Sequence, residues 1–401
     1  VSRKSCLVDA DSGEARALSS SVLAIAEKGT AGESPFEAEL HRQQLEFSTH
    51  PCADLGELAD SVRRWRARAV RHAADAGAAV AALATSPLPV SPKIGTGERY
   101  RWMAERFGLT AQEQLTCGCH VHVSVASDEE GVAVLDRVRC WLPVLLALSA
   151  NSPFWQGQDS RYSSYRSQVW GRWPSAGPVD VHGSAEAYHA GVRSLVATGV
   201  LRDEGMVYFD ARLSHRYPTV EVRIADVCLD PADTVLLATL VRGLVDTAAR
   251  EWRAGEPPSA SGTPLLRAAS CTAGRSGLEG LLIHPGPGGP SPPAVLGALL
   301  DHVGRLGGER RPEGGGERPR HRGPARERGT DPARDPGADR EPARHGGRMR
   351  SHHCRMTHPL VKPRQPSQER SSPCPPPLST TAGSWRSSPT TASSRTNSSS
   401  P

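Results

Sequence analysis

Two histidines one residue apart, His120 and His122 in CGCHVHVSV (residues 117–125), are the first candidates for chemistry in the sequence. In a strand, successive side chains point to opposite faces. Cys119, Val121, Val123 and Val125 then face one way, and His120, His122 and Ser124 the other. A zinc site needs its ligands to converge on one point, so a zinc hydrolase built from the two histidines and a cysteine is disfavoured; Cys119 reads as a small buried residue. TVEVRIAD (219–226) alternates in the same way, with Val220, Val222 and Ile224 on an apolar face and Thr219, Glu221 and Arg223 on a polar one. In QLEFST, Glu46 stands on the polar face. One such strand alone is an ordinary half-exposed strand. Three together, carrying carboxylates, imidazoles and an arginine, suit a hard divalent ion beside a phosphate. The pattern points to magnesium–nucleotide chemistry on a sheet. It contains neither a GxxxxGK[ST] loop nor a GxGxxG turn, which sets it apart from P-loop and Rossmann sites.

The elements that must hold these residues are legible in outline. Residues 38–49 alternate as a strand. Residues 55–84 have helical spacing after a capping Asp54, and 130–150 form an apolar helix that Pro143 is expected to kink or restart. A helix is expected over 184–197, and another over 231–252, opened by Asp230 and Pro231. Before the first of these, 151–178 is polar and without clear periodicity, which marks a functional or a disordered segment, and its aromatic residues argue against disorder.

All five Phe and all six Tyr of the 401 residues precede residue 218, and after Trp252 the only aromatic is Trp385. A core needs bulky apolar side chains. The expected organisation is therefore one globular domain over 1–285 and an Arg/Pro/Gly/Ser-rich disordered tail over 286–401. The formal net charge of +5 is mild and concentrated in that tail, so it does not by itself imply a nucleic-acid partner. No apolar run is long enough to span a membrane, and the opening residues lack a signal-peptide core. Nine scattered cysteines without CxxC pairs fit a reducing cytoplasm.

CGCHVHVSV, then WLPVLLALSANSPFWQGQDSRYSSYRSQVWGRWPSAGP, then GMVYFDARLSHRYPTVEVRIADVC resemble the carboxylate-amine ligases of the glutamate–cysteine ligase type 2 family, over roughly residues 7–283. The resemblance implies an α+β fold, similar to glutamine synthetase, in which a curved antiparallel sheet flanked by helices forms a funnel for ATP, magnesium ions and glutamate. It implies phosphorylation of a glutamate carboxylate by ATP, followed by attack of the amine of L-cysteine or another acceptor on the acyl phosphate. Residue by residue, it assigns metal binding to Glu46, Glu221 and His120. It places His120, His122 and Arg223 at the nucleotide, with catalytic roles for Arg223 and His120, and puts Arg161 and Tyr165 at the substrate. Trp155, Trp170 and Trp173 read as packing residues. The expected partners are L-glutamate and the amine, with no nucleic acid and no membrane, and a homodimer is the assembly to test.

The opening departs from the family. Where family members carry a strand like GVEEEFLLVD, this chain reads VSRKSCLVD. Arg3 and Lys4 stand where acidic ligands belong, and positive charge there repels magnesium. A weak or impaired ligase is therefore expected. Val1–Ser5 can be encoded by GTG TCG AGG AAG AGT, which two bases later reads Val-Glu-Glu-Glu, so a frame difference at the start is the hypothesis for the departure. An Arg/Pro/Gly/Ser tail is likewise what GC-rich DNA read out of frame produces.

Overall fold

Ser2–Val8 is an inner strand of the main sheet, although it comes first in the chain. In the computed structural model, residues 1–28, 36–286 and 290–304 are described, all within one compact unit, Val1–Gly316. Their strands are β1 (Ser2–Val8), β2 (Phe36–Ala38), β3 (Gln44–Ser48), β4 (Ala79–Ala81), β5 (Cys119–Ser124), β6 (Phe154–Trp155), β7 (Gln158–Asp159), β8 (Ala211–Leu213) and β9 (Thr219–Val222). The main sheet is seven-stranded, in the order β2-β3-β1-β5-β9-β8 with β4 also paired to β1. Every pairing in it is antiparallel. The fold is α+β, as expected: an antiparallel sheet flanked by helices.

Register decides which side chains share a face. Lys4 lies opposite Glu46, Ser2 opposite His120, and His122 opposite Glu221, which in turn lies opposite Arg212. These residues form one polar face. Arg3 lies opposite Phe47 and Cys119, and Val121 opposite Val222, on the other face. That face packs on helices Asp128–Val138, Leu142–Ser149 and Pro231–Arg253 in a core containing Cys119, Val121, Leu145, Val222 and Leu244.

The helix signals hold where a cap or a breaker is present. Asp54 accepts a hydrogen bond from the Glu57 amide, and Asp230 one from the Ala232 amide. Pro143 starts a new helix at Leu142 rather than bending one long helix. Two expected elements are shorter than their periodicity suggested. The helix from Leu55 stops at Asp75, because Gly77 takes φ +74° and turns the chain into β4. The strand expected over 38–49 is two strands, joined through a turn that holds His41 fully buried.

The ordered part also runs further than expected. Pro292–Gly304 is a helix that buries Val295 and Leu299. Val303 of that helix reaches Gly243 on Pro231–Arg253, so close that a methyl group added there would meet it at 3.0 Å. AVLGALL supplies an apolar stripe within a segment whose composition reads as tail. The expectation of disorder beyond residue 304 falls outside the described residues.

The 151–178 segment is tied to the sheet by one carboxylate. Asp226, fully buried, accepts hydrogen bonds from the Asn151 amide and from the hydroxyls of Ser152 and Ser164. Arg166 lies 3.6 Å from the same carboxylate and donates to the carbonyls of Ile224 and Arg223. This explains the glycine in CGC: a Cβ on Gly118 would stand 2.4 Å from the Arg166 Nη2. Gly118→Ala should therefore lower unfolding stability by about 1–3 kcal/mol, the range for overpacking a filled site. Urea denaturation checks this, and an unchanged midpoint would show that the arginine yields freely.

Candidate active site

The polar face of the sheet is the floor of a cavity of about 590 Å³. Its centre is Glu221, only 3% exposed. Arg212 Nε donates to one carboxylate oxygen at 2.8 Å, and Arg223 donates to the other. His120 Nδ1 is 3.3 Å from that second oxygen and His122 Nε2 3.7 Å from it. Burial pushes the Glu221 carboxyl up, but the charges of Arg223 and Arg212 outweigh it and hold it at about 2. Burial, reinforced by the Arg223 charge, pushes His120 well down, and burial also lowers His122. Near neutrality both imidazoles are uncharged, so the fixed positive charge of this region comes from the two arginines. Arg223 is framed by the rings of Trp170 and Tyr208, each 5.8 Å from its guanidinium carbon.

A second cluster lies on β1 and β3. Lys4 Nζ is 2.8 Å from Glu39 Oε1 and 3.9 Å from Glu46 Oε2, and Ser2 Oγ donates to the other Glu46 oxygen. Burial and the neighbouring Glu39 charge push Glu46 up. Against the cost of its own burial, Glu39 is held ionised by Lys4. Lys4 stays protonated despite burial because both carboxylates face it.

Glu46, His120, His122, Glu221 and Arg223 thus all line one cavity. Arg161 and Tyr165 are not among its lining residues. Arg161 follows the β6–β7 hairpin at φ +61°, with its side chain exposed and near Asp159, and Tyr165 packs on Trp155 and Tyr162. The 151–178 segment reaches the cavity instead through Trp170 and Trp173, two of the residues read as packing. Arg3 also differs from expectation. One residue out of phase with Lys4, it points to the opposite face, is 1% exposed and donates to the Cys228 carbonyl, so the cavity receives one of the two expected charges.

Sequence reasoning passed over Arg212 and Glu39. Arg212 had a usable signal: it alternates between Ala211 and Leu213 just as Glu221 does between Val220 and Val222. Glu39 had none, because it lies in a turn where period-two reasoning does not apply.

The residues do not suit a resident divalent ion equally across the cavity. Among the described residues no three His, Cys, Asp or Glu side chains converge as a metal-binding set. Glu221 is engaged on both oxygens by arginine, and Glu46 on both by Ser2 and Lys4. On β1 and β3, an ammonium stands where the resemblance implies magnesium.

The sequence and fold are those of a carboxylate-amine ligase of the glutamate–cysteine ligase type. The chain belongs to glutamate–cysteine ligase family 2, whose sequence pattern matches residues 5–302. It is 61% identical over 305 residues to a protein of Streptomyces avermitilis provisionally named glutamate–cysteine ligase 2-1, covering 76% of this chain and 84% of that one. A Streptomyces coelicolor protein, provisionally named glutamate–cysteine ligase 2, is 60% identical over the same shares. Among solved structures, the fold is similar to a glutamate–cysteine ligase from Francisella tularensis in complex with AMP, with TM-score 0.51 and 13% identity over 76% of this chain and 77% of that chain. It is also similar to a bifunctional glutathione synthetase from Pasteurella multocida, with TM-score 0.53 and 14% identity over 77% of this chain and 45% of that one. Among the described residues no helix is long and apolar enough to cross a membrane.

Proposed function

We propose that the protein is an ATP-dependent ligase that joins L-glutamate to L-cysteine, or to a related amine, in the cytoplasm. The observation that carries this reading is the buried Arg212–Glu221–Arg223 cluster on the floor of an open cavity. Two guanidiniums sharing one carboxylate leave a net positive charge where water is scarce, which suits the phosphates of ATP. ATP enters as its magnesium complex, with the ion travelling on the nucleotide. The side-chain carboxylate of glutamate attacks the γ-phosphorus, ADP leaves, and the acyl phosphate forms. The amine then attacks the acyl carbon, an amide bond forms, and phosphate leaves with the proton passed to solvent. Nothing in this sequence requires a protein nucleophile; positioning and charge neutralisation carry it. Arg223 and Arg212 face the phosphoryl group in this reading. The neutral His120 and His122 border it as hydrogen-bonding groups.

A second reading, a relative that binds nucleotide but turns it over poorly, is favoured by Lys4 at the carboxylates of β1 and β3. Phosphate release, measured with ATP and magnesium in the presence and absence of glutamate and cysteine, separates the two. The ligase reading expects release that depends on both amino acids, and formation of a γ-glutamyl amide. ATP binding without any glutamate-dependent phosphate release would overturn it in favour of the second reading.

A further inference from the structure

We propose that the Lys4 ammonium is a tethered cation that takes the place of a divalent ion between Glu39 and Glu46, so that this part of the cavity holds no resident metal. The observations are geometric. Register sets Lys4 directly opposite Glu46 on the polar face. Its Nζ reaches Glu39 at 2.8 Å and Glu46 at 3.9 Å, and all three side chains are largely buried, with 13–16% exposed. The lysine cannot swing away with its strand, because β1 is paired on one side with β3 and on the other with β5, and the Lys4 amide donates to the Gly118 carbonyl.

The chemistry of the two kinds of cation differs. An ammonium offers three donors and one charge, and binds carboxylates through hydrogen bonds. Magnesium needs six oxygens in near-ideal octahedral geometry. With one Glu46 oxygen accepting from Ser2 and the other facing Lys4, a metal ion entering here would have to compete with both contacts and lie beside a buried positive charge. The same two carboxylates without Lys4 would be an acidic pair facing a cavity.

The proposal rests on the ligase reading only for the kind of ion that Lys4 replaces, so its test uses no nucleotide and no turnover. Manganese(II) serves as the probe, titrated into the full-length chain while the free ion is followed by electron paramagnetic resonance. The unsubstituted chain is expected to show no uptake that depends on Glu46. Lys4→Glu adds a third carboxylate in place of the charge and is expected to bind one ion about 100-fold more tightly, since affinity rises with ligand charge. Lys4→Met, which removes the charge alone, is expected to gain a weaker site. Adding Glu46→Gln to either variant should remove the gain. Circular dichroism confirms that each variant is folded, and Lys4→Met decides the matter if Lys4→Glu does not fold. The proposal is overturned if the unsubstituted chain binds an ion that Glu46→Gln abolishes, or if the folded variants gain no site. Lack of glutamate-dependent phosphate release would count against the ligase reading and leave this result untouched.

Discussion

Replacing Arg223 by alanine should lower glutamate-dependent phosphate release by about 10²- to 10³-fold, the usual loss when one preorganised donor to a developing charge is removed. Arg223 is buried at 5% exposure, donates to Glu221, and is framed by two aromatic rings, so its guanidinium is fixed before any ligand arrives. Arg212 stays bound to the far oxygen of Glu221 and to the Val207 carbonyl. Single-turnover measurements with enzyme in excess over ATP suit a slow enzyme. They also separate the chemical step from nucleotide affinity. A role at the transferring phosphoryl group predicts a loss in the rate of that step larger than any loss in ATP binding. A purely structural role predicts a lowered melting temperature with the rate per folded molecule unchanged, and that outcome would remove Arg223 from the chemistry. Arg223→Lys should recover only a small part of the rate, because a point charge does not reproduce the planar fork.

The largest effect on stability is expected at a residue that does not line the cavity. Asp226→Ala should cost about 3–5 kcal/mol, the penalty for leaving a buried charge without its partner. The carboxylate accepts three hydrogen bonds from 151–164, and Arg166 lies beside it at 2% exposure. Removing it strands the guanidinium and releases the segment that carries Trp170 and Trp173. Asp226→Asn, which keeps the shape and one acceptor oxygen but not the charge, should cost less. Chemical denaturation of the two variants side by side checks the order, and equal losses would show that the negative charge facing Arg166, which both variants lack, and not the retained acceptor oxygen, sets the requirement.

Much of the site was legible because strand alternation is a strict rule. Glu46, His120, His122, Glu221 and Arg223 could be assigned to one face from period two alone, and pairing across four strands brings them together. What remained hidden depends on contacts that no local pattern encodes. Glu39 enters from a turn, and Arg161 and Tyr165 are turned away by a hairpin whose geometry is set by side-chain anchoring rather than periodicity. The split of 38–49 into two strands and the helix at Pro292–Gly304 have a related cause. Alternation continues through a tight turn without announcing it, and a short apolar stripe is easily lost inside a segment dominated by glycine and proline. Arg3 and Lys4 show the opposite case: the alternation that sorted the histidines also sorts these two, and applying it to VSRKS separates one buried structural arginine from one cavity lysine.

The position of β1 in the sheet bears on how the protein acquires its structure during synthesis. β1 leaves the ribosome ahead of its neighbours in the finished sheet, with β3 and β5 arriving some 40 and 115 residues later and the Arg3 side chain meeting its carbonyl partner at Cys228. Contacts of such long sequence separation close late and slowly. Until β5 has emerged one edge of β1 is incompletely paired, and until Cys228 has emerged the Arg3 guanidinium lacks its carbonyl partner, which is the condition in which nascent strands associate with the wrong chain. The yield of soluble protein should therefore depend on the speed of translation through the first two hundred or so residues more than on the stability of the finished fold.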